Sequence, residues 1–234
     1  MTPMKQCDIT KVEPLINLLK IASTDRSDQW YEQFYATVVD ASFRSEIPQI
    51  IMGPDGFPYF SLLSPEPLKA FESFCICILV ETATEQGFGI TINRRADGVD
   101  WAFSYGDLLT LRLTGSLKVP IEYPSEPSKK IRTEKEEVAW IGAPSESYLP
   151  LYARTVIRGF MQQVLGVKEP RVFLMHRALD SRPMQLVFSV FPEQYKTEKN
   201  YFNVLNGLSW FLPRHYSITG IPISSEMQKN FVPL

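Results

Sequence analysis

The spacing of apolar residues along the chain predicts five substantial helices. Positions that recur every three or four residues place one apolar stripe on each segment, as in helices that cover a core. The predicted helices cover 11–22, 28–38 behind a Ser27 or Asp28 cap, 105–113 behind Ser104, a long segment from Ser147 to Gly166, and 198–212. A short helix that carries Leu68 and Phe71 is expected after Ser64, because serine followed by Pro-Glu-Pro suits a first helical turn.

Short apolar runs bounded by turn residues predict the strands. They cover 47–52, 57–62, 75–80, 88–93, 101–103, 171–179, 184–191 and 217–223. The first two flank Pro54-Asp55-Gly56 and therefore predict a β-hairpin. The run 75–80 is continuously apolar, which favours a central strand covered on both faces.

A change of composition divides the chain into two predicted domains, 1–118 and 139–234. Between them, 119–138 contains Pro120, Pro124 and Pro127, followed by a stretch of mixed charge that is typical of a linker. The predicted fold class is α/β (α+β): two small open mixed sheets flanked by helices and joined by a Pro- and charge-rich linker. The second domain is expected to follow the order α-β-β-α-β.

Composition and charge narrow the classes of partner. The chain has 234 residues, of which 44% are hydrophobic, so real cores are expected. Its 24 basic and 26 acidic residues are interspersed, which argues against nucleic acid and against an anionic membrane as partner. No stretch reaches the roughly 20 apolar residues that span a bilayer, and the start lacks the pattern of a secretory signal, so a cytoplasmic protein is expected.

The three cysteines do not indicate a disulfide framework. An odd, sparse set favours a reducing compartment. Cys75 and Cys77 are interpreted as small buried hydrophobes, and Cys7 as an incidental thiol in a mobile tail.

The sequence predicts no catalytic residue, no cofactor and no metal site. His176 and His215 are the two histidines, and neither has triad or zinc-ligand spacing around it. His176 is expected to be a core or edge histidine that bonds to the backbone. The glycines match no nucleotide-binding loop.

Six residues are candidates for contact with a partner. An aromatic row on the second helix is expected to place Trp30 and Phe34 in the core and Tyr31 and Tyr35 at its edge. Aromatic side chains with polar tips at such a boundary are frequent in binding surfaces. The dibasic pair Arg94-Arg95 completes the set, although such a pair is more typical of a solvated face than of a phosphate site.

These motifs resemble the enhanced serine sensitivity protein family, the SseB-like proteins of bacteria, over most of the chain. In the first domain the likeness rests on residues 30–35, 55–60, 63–66 with Leu68 and Phe71, and 90–93; in the second it rests on 142–144 and 148–150. Family members continue the Ile-Asn of 92–93 with Pro-Gly, whereas this chain has Arg94-Arg95. The resemblance implies a two-domain cytoplasmic protein without an established enzymatic activity.

The sequence leaves three functional hypotheses. The first is a non-catalytic binding or regulatory protein that contacts an unknown protein partner through the aromatic helix edge and the interdomain cleft. The alternative is a small-molecule-binding protein or enzyme whose site lies in that cleft and draws on Arg94, Arg95 or His176. The third is homo-oligomerisation through an exposed sheet edge.

Overall fold

The chain folds into two units, 1–118 and 119–234, each built on an open mixed sheet with helices packed against it. The computed structural model describes residues 6–118, 129–132, 138–177, 184–223 and 226–234. The two mixed sheets with their helices confirm the predicted α/β (α+β) fold class.

The sheet of the first unit has four described strands in the order β1-β2-β3-β4. They are β1 (Ile50–Met52), β2 (Pro58–Leu62), β3 (Gly89–Ile92) and β4 (Trp101–Phe103). The predicted hairpin is confirmed, since β1 pairs antiparallel with β2 and Gly56 takes a φ of 83° in the turn. β2 and β3 run parallel, and β4 returns antiparallel as the edge strand.

Four helices accompany this sheet, and two of them begin at the caps that the sequence predicts. They are α1 (Val12–Leu19), α2 (Asp28–Val38), α3 (Ile76–Gln86) and α4 (Tyr105–Thr114). The Ser27 hydroxyl accepts the backbone N–H of Trp30, and Ser104 forms a capping box with Asp107. The buried side chains of Phe34, Leu62 and Ile90 belong to one core that these helices share with the sheet.

The predicted central strand over 75–80 is wrong, because this segment begins α3. A continuous apolar run fits a buried helix as well as a strand. Here the apolar pattern continues at helical spacing through Val80 and Ala83, while Ile78 points outward and is 50% exposed. Gly87 ends the helix in the left-handed conformation that favours glycine.

The predicted short helix after Ser64 is also wrong. Residues 64–75 contain no helix, and Leu68 is fully exposed with a φ of 62°. The backbone N–H of Ser64 bonds to the side chain of Asn93 instead of opening a helix. Phe74 pairs with Phe43 through two backbone hydrogen bonds of 2.8 Å, which holds the segment extended just before α3.

The cysteine interpretation is corrected as well, since Cys7 forms a disulfide with Cys75. Cys7 is anchored because its neighbour Asp8 bridges Ala41, with the Asp8 N–H donating to the Asp40 carbonyl at 2.7 Å. This long-range contact brings two cysteines 68 positions apart to a Cα–Cα distance of 5.4 Å. Nothing local to Cys7 in the sequence signals it.

The second unit has a sheet in the order β5-β6-β7-β8-β9, with β10 paired to β7. The strands are β5 (Lys129–Arg132), β6 (Val138–Gly142), β7 (Arg171–Arg177), β8 (Met184–Phe188), β9 (Ser217–Ile218) and β10 (Val232–Pro233), and the helices are α5 (Leu151–Gln163) and α6 (Glu198–Ser209). The predicted order α-β-β-α-β is present as α5, β7, β8, α6 and β9. The apolar pattern does not predict β5, β6 or β10. It predicts a strand over 217–223, whereas β9 ends at Ile218.

Two local expectations for this unit need correction. Helix α5 begins at Leu151 behind Pro150, so Ser147 does not cap it; the Glu146 carboxylate accepts the Leu151 N–H at 2.8 Å. The apolar spacing along 198–212 predicts Phe202 in one stripe with Tyr201 and Leu208, but Phe202 is 51% exposed.

The predicted linker 119–138 lies partly outside the described residues. Within it, 129–132 form β5, which pairs antiparallel with β6. The predicted connector 180–183 between β7 and β8 lies outside the described residues.

Candidate functional site

The aromatic row of α2 divides into a buried pair and an outer pair, as its spacing predicts. Trp30 and Phe34 are buried, and their rings stack with centroids 4.8 Å apart. Tyr31 is 36% exposed and Tyr35 is half-buried. Residues four apart lie on the same helix face, so each pair forms one row along the helix.

Trp101, the first residue of β4, joins the two pairs. Its ring centroid lies 4.6 Å from that of Phe34 and 5.7 Å from that of Trp30. The same ring lies 6.2 Å from Tyr31 and 6.4 Å from Tyr35, in edge-on orientations that aromatic quadrupoles favour. Trp101 therefore fixes the outer tyrosines against a rigid base. The sequence pattern predicts Trp101 on a strand but does not indicate that it takes part in the site.

Arg26 covers the edge of this cluster. Its guanidinium carbon lies 4.4 Å from the Trp30 ring centroid and 5.3 Å from that of Trp101, both within the range of cation–π attraction. The Trp30 indole N–H donates to the Leu18 carbonyl at 2.9 Å, which holds α2 against α1. Within the described residues, the buried indole nitrogen of Trp101 has no hydrogen-bond partner.

The loop that carries Arg94 and Arg95 is held by a side-chain network. The Asn93 amide donates to Asp100 at 2.8 Å, and its oxygen accepts the Ser64 N–H at 2.7 Å. Arg95 pairs with Asp100, and its backbone N–H donates to Gly98 at 2.7 Å. The side chain of Arg94 is exposed.

The aromatic row and the arginine loop meet in the chain, because Asp100 directly precedes Trp101. Asp100 holds Arg95 and Asn93, while Trp101 packs on all four aromatic residues of α2. The structure therefore connects two sets that the sequence offered separately. We call this region the aromatic–arginine surface; it comprises Arg26, Tyr31, Tyr35, Arg94, Arg95, Asp100 and Trp101 and rests on the buried rings of Trp30 and Phe34.

Asn93 holds the loop both by conformation and by hydrogen bonding. It has a φ of 51°, a left-handed conformation that asparagine tolerates better than most side chains. We expect Asn93→Gly to lower the free energy of unfolding by about 1 to 3 kcal/mol, because the Ser64 N–H loses its acceptor. Asn93→Ala should cost about 1 kcal/mol more, because alanine is strained at positive φ.

Urea denaturation of both variants beside the wild type measures these costs. Equal stability of Asn93→Gly and the wild type would show that the hydrogen bonds contribute nothing.

Both histidines belong to the second unit. His176 is partly buried on β7, and its Nδ1 has no hydrogen-bond partner within the described residues, so the expected bond to the backbone is not seen at that atom. Burial lowers the pKa of His215, whose ring lies edge-on to Tyr216 at 4.7 Å. Among the residues that the structure describes, no group of three or more His, Cys, Asp or Glu side chains is arranged to hold a metal ion.

The first unit also has a polar pocket of about 290 Å³ at the 64–75 segment. Arg44, Glu66, Lys69 and Glu72 contribute its charges, and Glu66 pairs with both cations. Its volume lies just below the range for small-molecule sites, roughly 300 to 1,000 Å³.

No family model, curated protein or solved structure matches this chain. The resemblance to the SseB-like family therefore rests on the motifs alone. Within the described part of the chain, none of the helices combines the length and the apolar character needed to cross a membrane.

Proposed function

We propose that this chain is a non-catalytic cytoplasmic binding or regulatory protein, similar to the SseB-like proteins, that recognises a protein partner through the aromatic–arginine surface. The observation that carries the proposal is the position of Trp101. It packs on the α2 aromatics and directly follows the residue that holds the arginine loop. The region thus combines tyrosine, tryptophan and arginine, the residue types that dominate binding energy in protein interfaces.

The packing also favours recognition on energetic grounds. Ordering a side chain on binding costs roughly 0.5 to 1.5 kcal/mol, so side chains that are already fixed bind at a lower entropic cost. Tyr31 contacts both Trp30, at 5.0 Å edge-on, and Trp101. Its outer face remains accessible while its ring is held in place.

The charge at the rim of the surface indicates the partner's chemistry. Arg94 is exposed, and Arg26 lies over the two tryptophans. Asp100 neutralises Arg95 in part. A partner that brings an apolar or aromatic centre with a carboxylate at its rim fits this arrangement, since rim charges steer association and add specificity.

Substitution of Tyr31 and Arg94 tests the proposal. We expect Tyr31→Ala to weaken partner binding by about 2 kcal/mol, roughly 30-fold in Kd, because it removes an accessible aromatic anchor. Arg94→Ala should have a smaller effect that fades at high salt, as expected of an exposed charge. Quantitative pull-downs from source lysate identify the partner, and titration with the purified partner then gives Kd.

Phe202→Ala is the matched control, since it removes a half-exposed aromatic residue from α6 in the other unit. Binding that is equally strong in the wild type, Tyr31→Ala and Arg94→Ala would remove this surface from the proposal.

A further inference from the structure

Three sulfur atoms meet at the N-terminus of α3. Cys7 and Cys75 form the disulfide, and the sulfur of Cys77 lies 3.3 Å from that of Cys75. Every cysteine of the chain thus lies in this one cluster. A third sulfur therefore lies within contact distance of the disulfide.

The backbone holds Cys7 and Cys77 against one short segment, 39–42. Asp8, next to Cys7, accepts the Ser42 N–H and donates to the Asp40 carbonyl. The Cys77 N–H donates to the Val39 carbonyl at 2.9 Å. The approach of Cys77 to the disulfide is therefore fixed by main-chain contacts on both sides.

Burial gives the three sulfurs different access to solvent. Cys75 is 0% exposed and Cys77 is 7% exposed, whereas Cys7 is partly exposed. An external thiol therefore meets Cys7 first. An attack on Cys75 is open to its internal neighbour, which needs no path from solvent.

We propose that this cluster is a thiol–disulfide exchange site, in which Cys77 displaces Cys7 from Cys75. The thiolate of Cys77 attacks the Cys75 sulfur, a Cys75–Cys77 bond forms, and the Cys7–Cys75 bond breaks. The proton that Cys77 loses on forming its thiolate goes to solvent; Cys7 leaves with the electron pair as a thiolate and takes a proton back from solvent. The number of disulfides is unchanged, so the step needs no external oxidant or reductant.

The exchange changes what the surface of the first unit presents. In one state the disulfide ties the N-terminal segment to α3; in the other the tie is broken and Cys7 carries a reactive thiol. That thiol can form a mixed disulfide with a small thiol or with a cysteine of another protein. Disulfides in cytosolic proteins are usually transient, catalytic or redox-sensing, which agrees with an exchangeable bond.

Trapping with N-ethylmaleimide tests the exchange in the full-length chain. The native protein, oxidised beforehand with diamide, is incubated with the reagent, denatured, digested and mapped by mass spectrometry. We expect Cys7 to become alkylated over time while a Cys75–Cys77 disulfide accumulates. The finding that contradicts the proposal is alkylation of Cys77 with the Cys7–Cys75 disulfide intact, or the absence of any Cys75–Cys77 species after prolonged incubation.

A Cys77→Ser variant provides the second arm. It retains the Cys7–Cys75 pair but lacks the internal nucleophile, so alkylation of Cys7 should slow by about tenfold or more, as expected when a tethered reactant is lost. Unchanged alkylation of Cys7 in a folded Cys77→Ser protein would show that Cys77 is a passive neighbour. If the variant does not fold, as judged by circular dichroism, the wild-type trapping result decides alone.

Discussion

Replacing Phe34 with alanine is expected to lower the free energy of unfolding of the first unit by about 3 to 5 kcal/mol. Phe34 is fully buried, and its ring contacts Trp30 at 4.8 Å, Trp101 at 4.6 Å and Phe103 at 6.1 Å. Truncation removes the transfer energy of the ring and leaves a cavity between a helix and an edge strand. It also removes the base on which the aromatic–arginine surface rests.

Urea denaturation followed by fluorescence measures this loss. The fluorescence of Trp30 and Trp101 reports unfolding of the first unit, and that of Trp140 and Trp210 reports unfolding of the second. Variants in each unit then show which unfolding transition belongs to which unit. Tyr35→Ala is the control, because it removes a half-buried ring from the same helix and should cost less. A loss below about 1 kcal/mol for Phe34→Ala would contradict the packing described here.

Replacing Cys7 with serine has the second largest expected effect, a loss of about 2 to 4 kcal/mol in the free energy of unfolding. The Cys7–Cys75 bond spans a sequence separation of 68 residues. A cross-link that closes a long loop restricts the unfolded chain strongly, so its removal favours unfolding.

The reduced wild type is the matched control for this prediction. Dithiothreitol should destabilise the wild type by a similar amount and change Cys7→Ser little, because a bond between its remaining Cys75 and Cys77 would close only a very short loop. In the presence of reductant, the two proteins should therefore unfold at nearly the same urea concentration. Equal stability of the wild type with and without reductant would show that the disulfide does not form in solution.

Elements with local signals could be predicted from the sequence. Ser27 and Ser104 begin helices because a hydroxyl before an amphipathic segment satisfies orphan N–H groups within three residues. Trp30 and Phe34 could be assigned to the core and Tyr31 to its edge because helical periodicity alone decides which face they share.

Features that depend on distant contacts could not be predicted. Residues 75–80 form a continuous apolar run that suits a covered strand as well as a buried helix, and the core that α3 joins through Ile76, Val80 and Ala83 fixes the helix. The pairing of Cys7 with Cys75 depends on the bridge between Asp8 and Ala41. The role of Trp101 in the surface depends on the register of β4 against β3, which places it at the end of the sheet near α2.

Site-specific photo-crosslinking at position 31 tests the central claim most directly. Tyr31 is replaced by p-benzoylphenylalanine in the full-length chain. Phe202, which is more exposed (51% against 36%), is replaced in the same way as a control in the other unit. We predict that irradiation in cells yields a discrete protein adduct from position 31 that is absent at position 202 and reduced by Arg94→Ala. Identical adducts from both positions, or none from position 31, would contradict the account.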